Sequence, residues 1–133
     1  MRRVMTLFAI ALGAVAIAAA IAAAHEARFE TTKFPTKKVS IKHETPQSFS
    51  GKVRAHAPCK SDRTVKVSRV EEYGKPATIG AVHTDQSGVW QMSLPTPATP
   101  GNYQAVAKKG SITEADGDVV KCKKGVSKLL AVS

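Results

Sequence analysis

The chain has 133 residues, with 20 Lys and Arg against 10 Asp and Glu and a net charge of +10, enough for one domain with a modest core and no second one. The positive surplus has two readings, a charge that keeps a secreted domain soluble and an attraction to anionic envelope polymers or lipid headgroups. Aromatic residues make up only 5% and do not interleave with the basic runs, which argues against a stacking nucleic-acid platform.

In chain order, the first element is a leader rather than part of a fold. Arg2 and Arg3 precede an uncharged, Ala-rich run from Val4 to Ala24 that ends in Ala22-Ala23-Ala24. That pattern predicts a cleaved signal peptide over residues 1–24. The alternative is a retained anchor, because such a run at ~1.5 Å per residue could span a bilayer. No cysteine lies nearby to carry a lipid. Cleavage after Ala24 leaves 18 basic residues against 10 acidic, a net charge of +8. The expected location is secreted or cell envelope, and a membrane contact is expected only through an uncleaved leader. Residues 25–35 are polar and without period and read as a flexible segment. Residues 36–133 form the expected domain.

From Thr36 the apolar residues recur at every second position, the period of a half-buried strand. Val39, Ile41 and His43 share one face. Phe49, Val53, Ala55 and Ala57 share the next, with Gly51 interrupting the row as a bulge or a close backbone approach. Arg63 to Val70 alternates around Val65 and Val67 and slips at Arg69. Ile79, Ala81 and His83 alternate in turn. Thr84-Asp85-Gln86-Ser87-Gly88 is a turn in which Asp85 accepts main-chain hydrogen bonds and Gly88 supplies a positive φ. Trp90, Met92 and Leu94 then face inward. A proline-rich connection and the inner row Tyr103, Ala105, Ala107 follow. Gly110 to Lys124 reads as a polar loop, and Val126 to Val132 as the last strand. About seven antiparallel strands in this length predict an all-β, immunoglobulin-like (prealbumin-like) sandwich.

An exported chain meets an oxidising compartment, so Cys59 and Cys122 are expected to form one disulfide across 62 intervening residues. Pro100-Gly101-Asn102-Tyr103 fits a tyrosine corner, in which the Tyr hydroxyl bonds to upstream backbone. Thr84-Asp85-x-x-Gly88-x-Trp90 followed by Pro100-Gly101-x-Tyr103-x-Ala105 resembles the secreted carboxypeptidase-regulatory-like or transthyretin-like β-sandwich domains, over roughly residues 49–132. That resemblance implies a non-catalytic module that binds, spaces or stabilises.

The candidate contact surface is basic: Lys33, Lys37 and Lys38 near the start of the domain, and Lys121, Lys123 and Lys124 near its end. The expected partner is an anionic envelope polymer or another surface protein, and no cofactor is expected. Two metal readings stand beside it. Cleavage after Ala24 would expose His25, whose amine and imidazole could hold Cu(II), with His83 and Asp85 as further ligands. A small exported sandwich beginning with His resembles periplasmic copper-resistance proteins and copper-dependent polysaccharide oxygenases. Glu114, Asp116 and Asp118 alternate as in a calcium loop but lack its full ligand order. His43 and His56 come from different strands at no ligand spacing and read as structural. No hydrolase or phosphate-loop motif occurs, so an enzyme is not expected.

Overall fold

In the computed structural model, which describes residues 30–133, the alternating segments become strands wherever one of their faces is buried. Strand β5 (Thr64–Val70) lies between β6 (Ala77–His83) and β8 (Gly101–Ala107), all antiparallel. The free edge of β8 takes up two short strands, β11 (Gly125–Val126) and β12 (Leu130–Val132). The facing sheet is built on β4 (Ser48–Ala55). Strand β7 (Val89–Ser93) runs along one edge of it, and β2 (Thr36–Val39) and β3 (Lys42–Thr45) run end to end along the other. A third, three-stranded sheet joins β1 (Thr31–Phe34), β10 (Val119–Cys122) and β9 (Gly110–Thr113). The described residues are therefore all-β, as expected, with twelve short strands rather than about seven.

The core fills the space between the first two sheets. Phe49 and Val53 of β4 and Trp90 and Met92 of β7 meet Val65 and Val67 of β5 and Tyr103, Ala105 and Ala107 of β8. Phe49 and Tyr103 pack as a tilted pair with centroids 4.9 Å apart, which ties one sheet to the other. Gly51 is a close approach: a Cβ there would lie 1.9 Å from the Ser40 carbonyl oxygen and 2.7 Å from Trp90 Cζ2. Trp90 is 1% exposed, and its indole Nε1 finds no acceptor among the described residues.

Both predicted turns form. Asp85 Oδ1 accepts from the Ser87 and Val89 amides at 2.8 and 3.0 Å, and Gly88 takes φ +86°. The Tyr103 hydroxyl donates to the Thr99 carbonyl at 2.5 Å, the geometry of a tyrosine corner. Cys59, in a 3-10 turn over Ala57–Cys59, and Cys122 on β10 form the expected disulfide, with Cα atoms 5.5 Å apart. It carries a second small core of Val120 with Phe34 and Ala55 against it.

Several expectations are corrected, each for a physical reason. Residues 31–34, read as flexible, form β1, which pairs with β10 in parallel, Thr31 opposite Val119 and Phe34 opposite Cys122. Not every pairing is antiparallel, and the domain begins before Thr36. Only Phe34 of that strand is half-buried, so β1 is held by its backbone ladder and shows no hydrophobic period. The polar loop over Gly110–Lys124 is a β9–β10 hairpin, whose strand β9 is exposed at every position. The last strand is split because Ser127 inserts between β11 and β12. Its amide donates to the Ala105 carbonyl and its Oγ accepts from the Ala105 amide at 2.9 Å. The row Ile79, Ala81, His83 breaks at a bulge where Val67 faces Gly80 and Ser68 faces Thr78, so Ile79 and Val82 pack on the core while Ala81 and His83 turn outward.

Candidate binding surface

The surface is organised by a residue beneath it. Arg63 is in phase with Val65 and Val67, so the pleat that buries those valines buries a guanidinium too, at 4% exposure. Its partners are mainly main-chain carbonyls. Nη1 donates to the Cys59 carbonyl at 2.6 Å, Nε and Nη2 to the Lys108 carbonyl at 3.2 and 2.8 Å, and Nη2 also to the Lys123 carbonyl at 3.1 Å. Thr36 Oγ1 accepts two longer bonds from Arg63 and itself donates to the Lys123 carbonyl at 2.6 Å. Desolvation lowers the guanidinium pKa below its ordinary value, yet an arginine stays cationic at neutral pH. One fork thus clamps the end of β8, the end of β10 and the disulfide turn.

Of the carbonyls held just past β8 and β10, that of Lys123 belongs to a residue lining a basic groove. Lys33, Lys109, Lys121, Lys123 and Lys124 line this groove of about 610 Å³ together with Gly110, Ser111 and Cys122, and none of its lining residues is acidic. Lys33 and Lys121 stand directly opposite in the parallel ladder. Like charges so placed repel, destabilising the pair by roughly 0.2–1 kcal/mol. The ion pairs Arg69–Glu71 and His83–Asp62 lie elsewhere and involve no lysine.

A second groove, about 760 Å³, lies on the outer face of the β5–β8–β11 sheet. Its floor follows the register: Lys66 opposite Val106, Val106 opposite Val126, and Ser68 opposite Gln104. Lys75, Pro76, Lys108, Lys109 and Lys124 complete it, again without an acidic side chain.

Of the six lysines singled out in the sequence, Lys33, Lys121, Lys123 and Lys124 come together in the first groove. Lys38 does not join them; it faces Arg54 on the other sheet and lines a separate basic hollow with Lys42 and Lys52. Lys37 is exposed at the β2 bulge between Thr36 and Lys38. Sequence clustering misses Lys66, Lys75, Lys108 and Lys109, which are dispersed along the chain or stand outside the clusters at its two ends. It also misses Arg63 as the clamp, although the parity of that residue with Val65 and Val67 is a signal that could have found it.

The metal candidates fare differently. His25 lies outside the described residues, as do the leader over 1–24 and the remainder of the expected flexible segment up to residue 29. His83 Nδ1 sits 3.4 Å from Asp62 Oδ1, and Asp85 holds its own turn. Glu114, Asp116 and Asp118 do converge at the β9–β10 turn, each offering an oxygen within 4.8 Å of the others. Local backbone explains that convergence: the Asp118 amide donates to Asp116 Oδ1, and the Glu114 amide to the Asp118 carbonyl. His56 stacks on Phe34 with centroids 4.4 Å apart, and His43 packs against Phe49.

No family model matches the chain, and no curated protein or solved structure does. Class and chemistry therefore rest on the geometry: an all-β sandwich with a buried disulfide and a lysine-lined surface. Among the described residues no helix is long and apolar enough to cross a membrane.

Proposed function

We propose that this protein is an exported, non-catalytic β-sandwich module that binds anionic polymer at the cell envelope or outside the cell, through the groove of Lys33, Lys109, Lys121, Lys123 and Lys124. The observation that carries the reading is five ammonium groups around one groove with no lining carboxylate, two of them opposed across a single ladder. Such a field repels itself and is relieved when a polyanion enters. An extracytoplasmic setting belongs to the same proposal, and the leader pattern and the Cys59–Cys122 disulfide support it. Kinship with carboxypeptidase-regulatory-like or transthyretin-like modules is part of it too, supported by the Asp85 turn and the Tyr103 corner.

The test is retention of the folded protein on an immobilised phosphate-bearing polymer. Retention is expected at low salt and elution as the screening length contracts from ~10 Å at 0.1 M toward ~3 Å at 1 M. The variant K33Q/K121Q is expected to elute at lower salt. No retention at low salt, or an unchanged elution point for that variant, overturns the reading.

A further inference from the structure

The two lysine-lined grooves are not separate features. Lys109 and Lys124 line both, so they form the crest between the β1–β10–β9 sheet and the outer face of the β5–β8–β11 sheet. Arg63 fixes that crest from beneath, since the carbonyls it holds are those of Lys108 and Lys123, the immediate neighbours of Lys109 and Lys124. Resting on the proposal of polyanion binding, we infer that both grooves form one continuous track. Its occupant is a linear polymer carrying a phosphate on every repeating unit, which crosses from Lys33 and Lys121 over Lys109 and Lys124 to Lys66 and Lys75.

Three observations select that occupant. The track is lined by eight lysines and no acidic residue, so its charge is matched by an anion repeated along a chain rather than by one small ligand. Every cation lining it is lysine, a compact point charge that binds phosphate without demanding a fork geometry, which suits a flexible chain with no fixed orientation. The rest of the second groove is Pro76, Val106, Val126, Ser68 and Gln104, with no aromatic face on which a sugar ring or a base could stack. Recognition is therefore by charge repeated along a chain.

The probe is inorganic polyphosphate, compared as tripolyphosphate and as a long chain, against the full folded protein. Two variants divide the track: K33Q/K121Q alters only the first groove and K66Q/K75Q only the second. At roughly a fivefold affinity contribution per lysine beside an anionic surface, each double variant is expected to weaken long-chain binding about 25-fold at low salt. The slope of log affinity against log salt should fall by about 1.4, at ~0.7 for each phosphate no longer neutralised on a single-stranded polyanion. Tripolyphosphate, which offers three phosphates to a track lined by eight lysines, should show a smaller loss with either variant than the long chain does. Circular dichroism of both variants establishes that they are folded. Long-chain binding that responds to K33Q/K121Q but not to K66Q/K75Q overturns the continuous track and leaves the first groove as a site. Absence of all polyphosphate binding by the parent protein removes both proposals. Retention on vesicles of anionic lipid with none on polyphosphate assigns the surface to a membrane and overturns the polymer.

Discussion

Replacing Arg63 by Met keeps an unbranched stem and deletes every donor of the clamp. Three main-chain carbonyls, those of Cys59, Lys108 and Lys123, then lose their charged partner. A hydrogen bond to a charged group stabilises by about 1.5–3 kcal/mol, which puts the gross loss near ~6 kcal/mol. Releasing the guanidinium from a desolvated site recovers several kcal/mol. Water can also reach part of the carbonyl set at the partly buried bonds. A net loss of about 3 kcal/mol follows, a large share of the ~5–15 kcal/mol margin of a small domain. With an m-value of about 1.5 kcal/mol/M, the urea midpoint of Arg63→Met should fall by about 2 M, measured with the disulfide intact. Arg63→Lys keeps the charge but cannot span three carbonyls, and should recover less than half of the loss. A midpoint for Arg63→Met within about 0.3 M of the parent would refute the clamp, and a fully stable Arg63→Lys would refute the need for a fork.

Two further outcomes follow from the packing. The Cys59–Cys122 bridge, at a sequence separation of 63, should contribute about 4 kcal/mol by restricting the unfolded chain, so Cys59→Ala with Cys122→Ala should lower the urea midpoint by more than Arg63→Met does; an unchanged midpoint would show that the bridge adds nothing. Gly51→Ala places a methyl 1.9 Å from a main-chain oxygen, and overpacking of that kind costs ~1–3 kcal/mol or more, a fall in melting temperature of about 10 °C. A melting temperature unaltered by that substitution would mean that β2 and β4 are not pinned at Ser40.

How much could be read from the sequence depended on whether an element buries one face. β4, β5, β7 and β8 each place alternate side chains in the core, and their rows, Phe49 and Val53, Val65 and Val67, Trp90 and Met92, Tyr103, Ala105 and Ala107, are legible from alternation alone. The Asp85 and Tyr103 turns are legible for a different reason: their hydrogen bonds join residues a few positions apart. The disulfide was legible because the chain holds only two cysteines, which leaves one possible pairing. β1 and β9 are not legible, since nearly all their side chains are exposed and their stability comes from ladder bonds to β10, which carry no residue pattern.

The basic surface divides along the same line. Composition alone determined that the chain carries excess positive charge, and chain proximity picked out the lysine clusters at either end. Only the tertiary structure decided which lysines lie together. The parallel β1–β10 pairing sets Lys33 against Lys121, the β5–β8 register brings Lys66 toward Lys108 and Lys109, and the same fold sends Lys38 to the opposite sheet. Charge is a property of residues and sums along a sequence. A groove is a property of register, and register is set by backbone hydrogen bonds and by the buried Arg63 fork, whose partners lie 45 and 60 residues away along the chain.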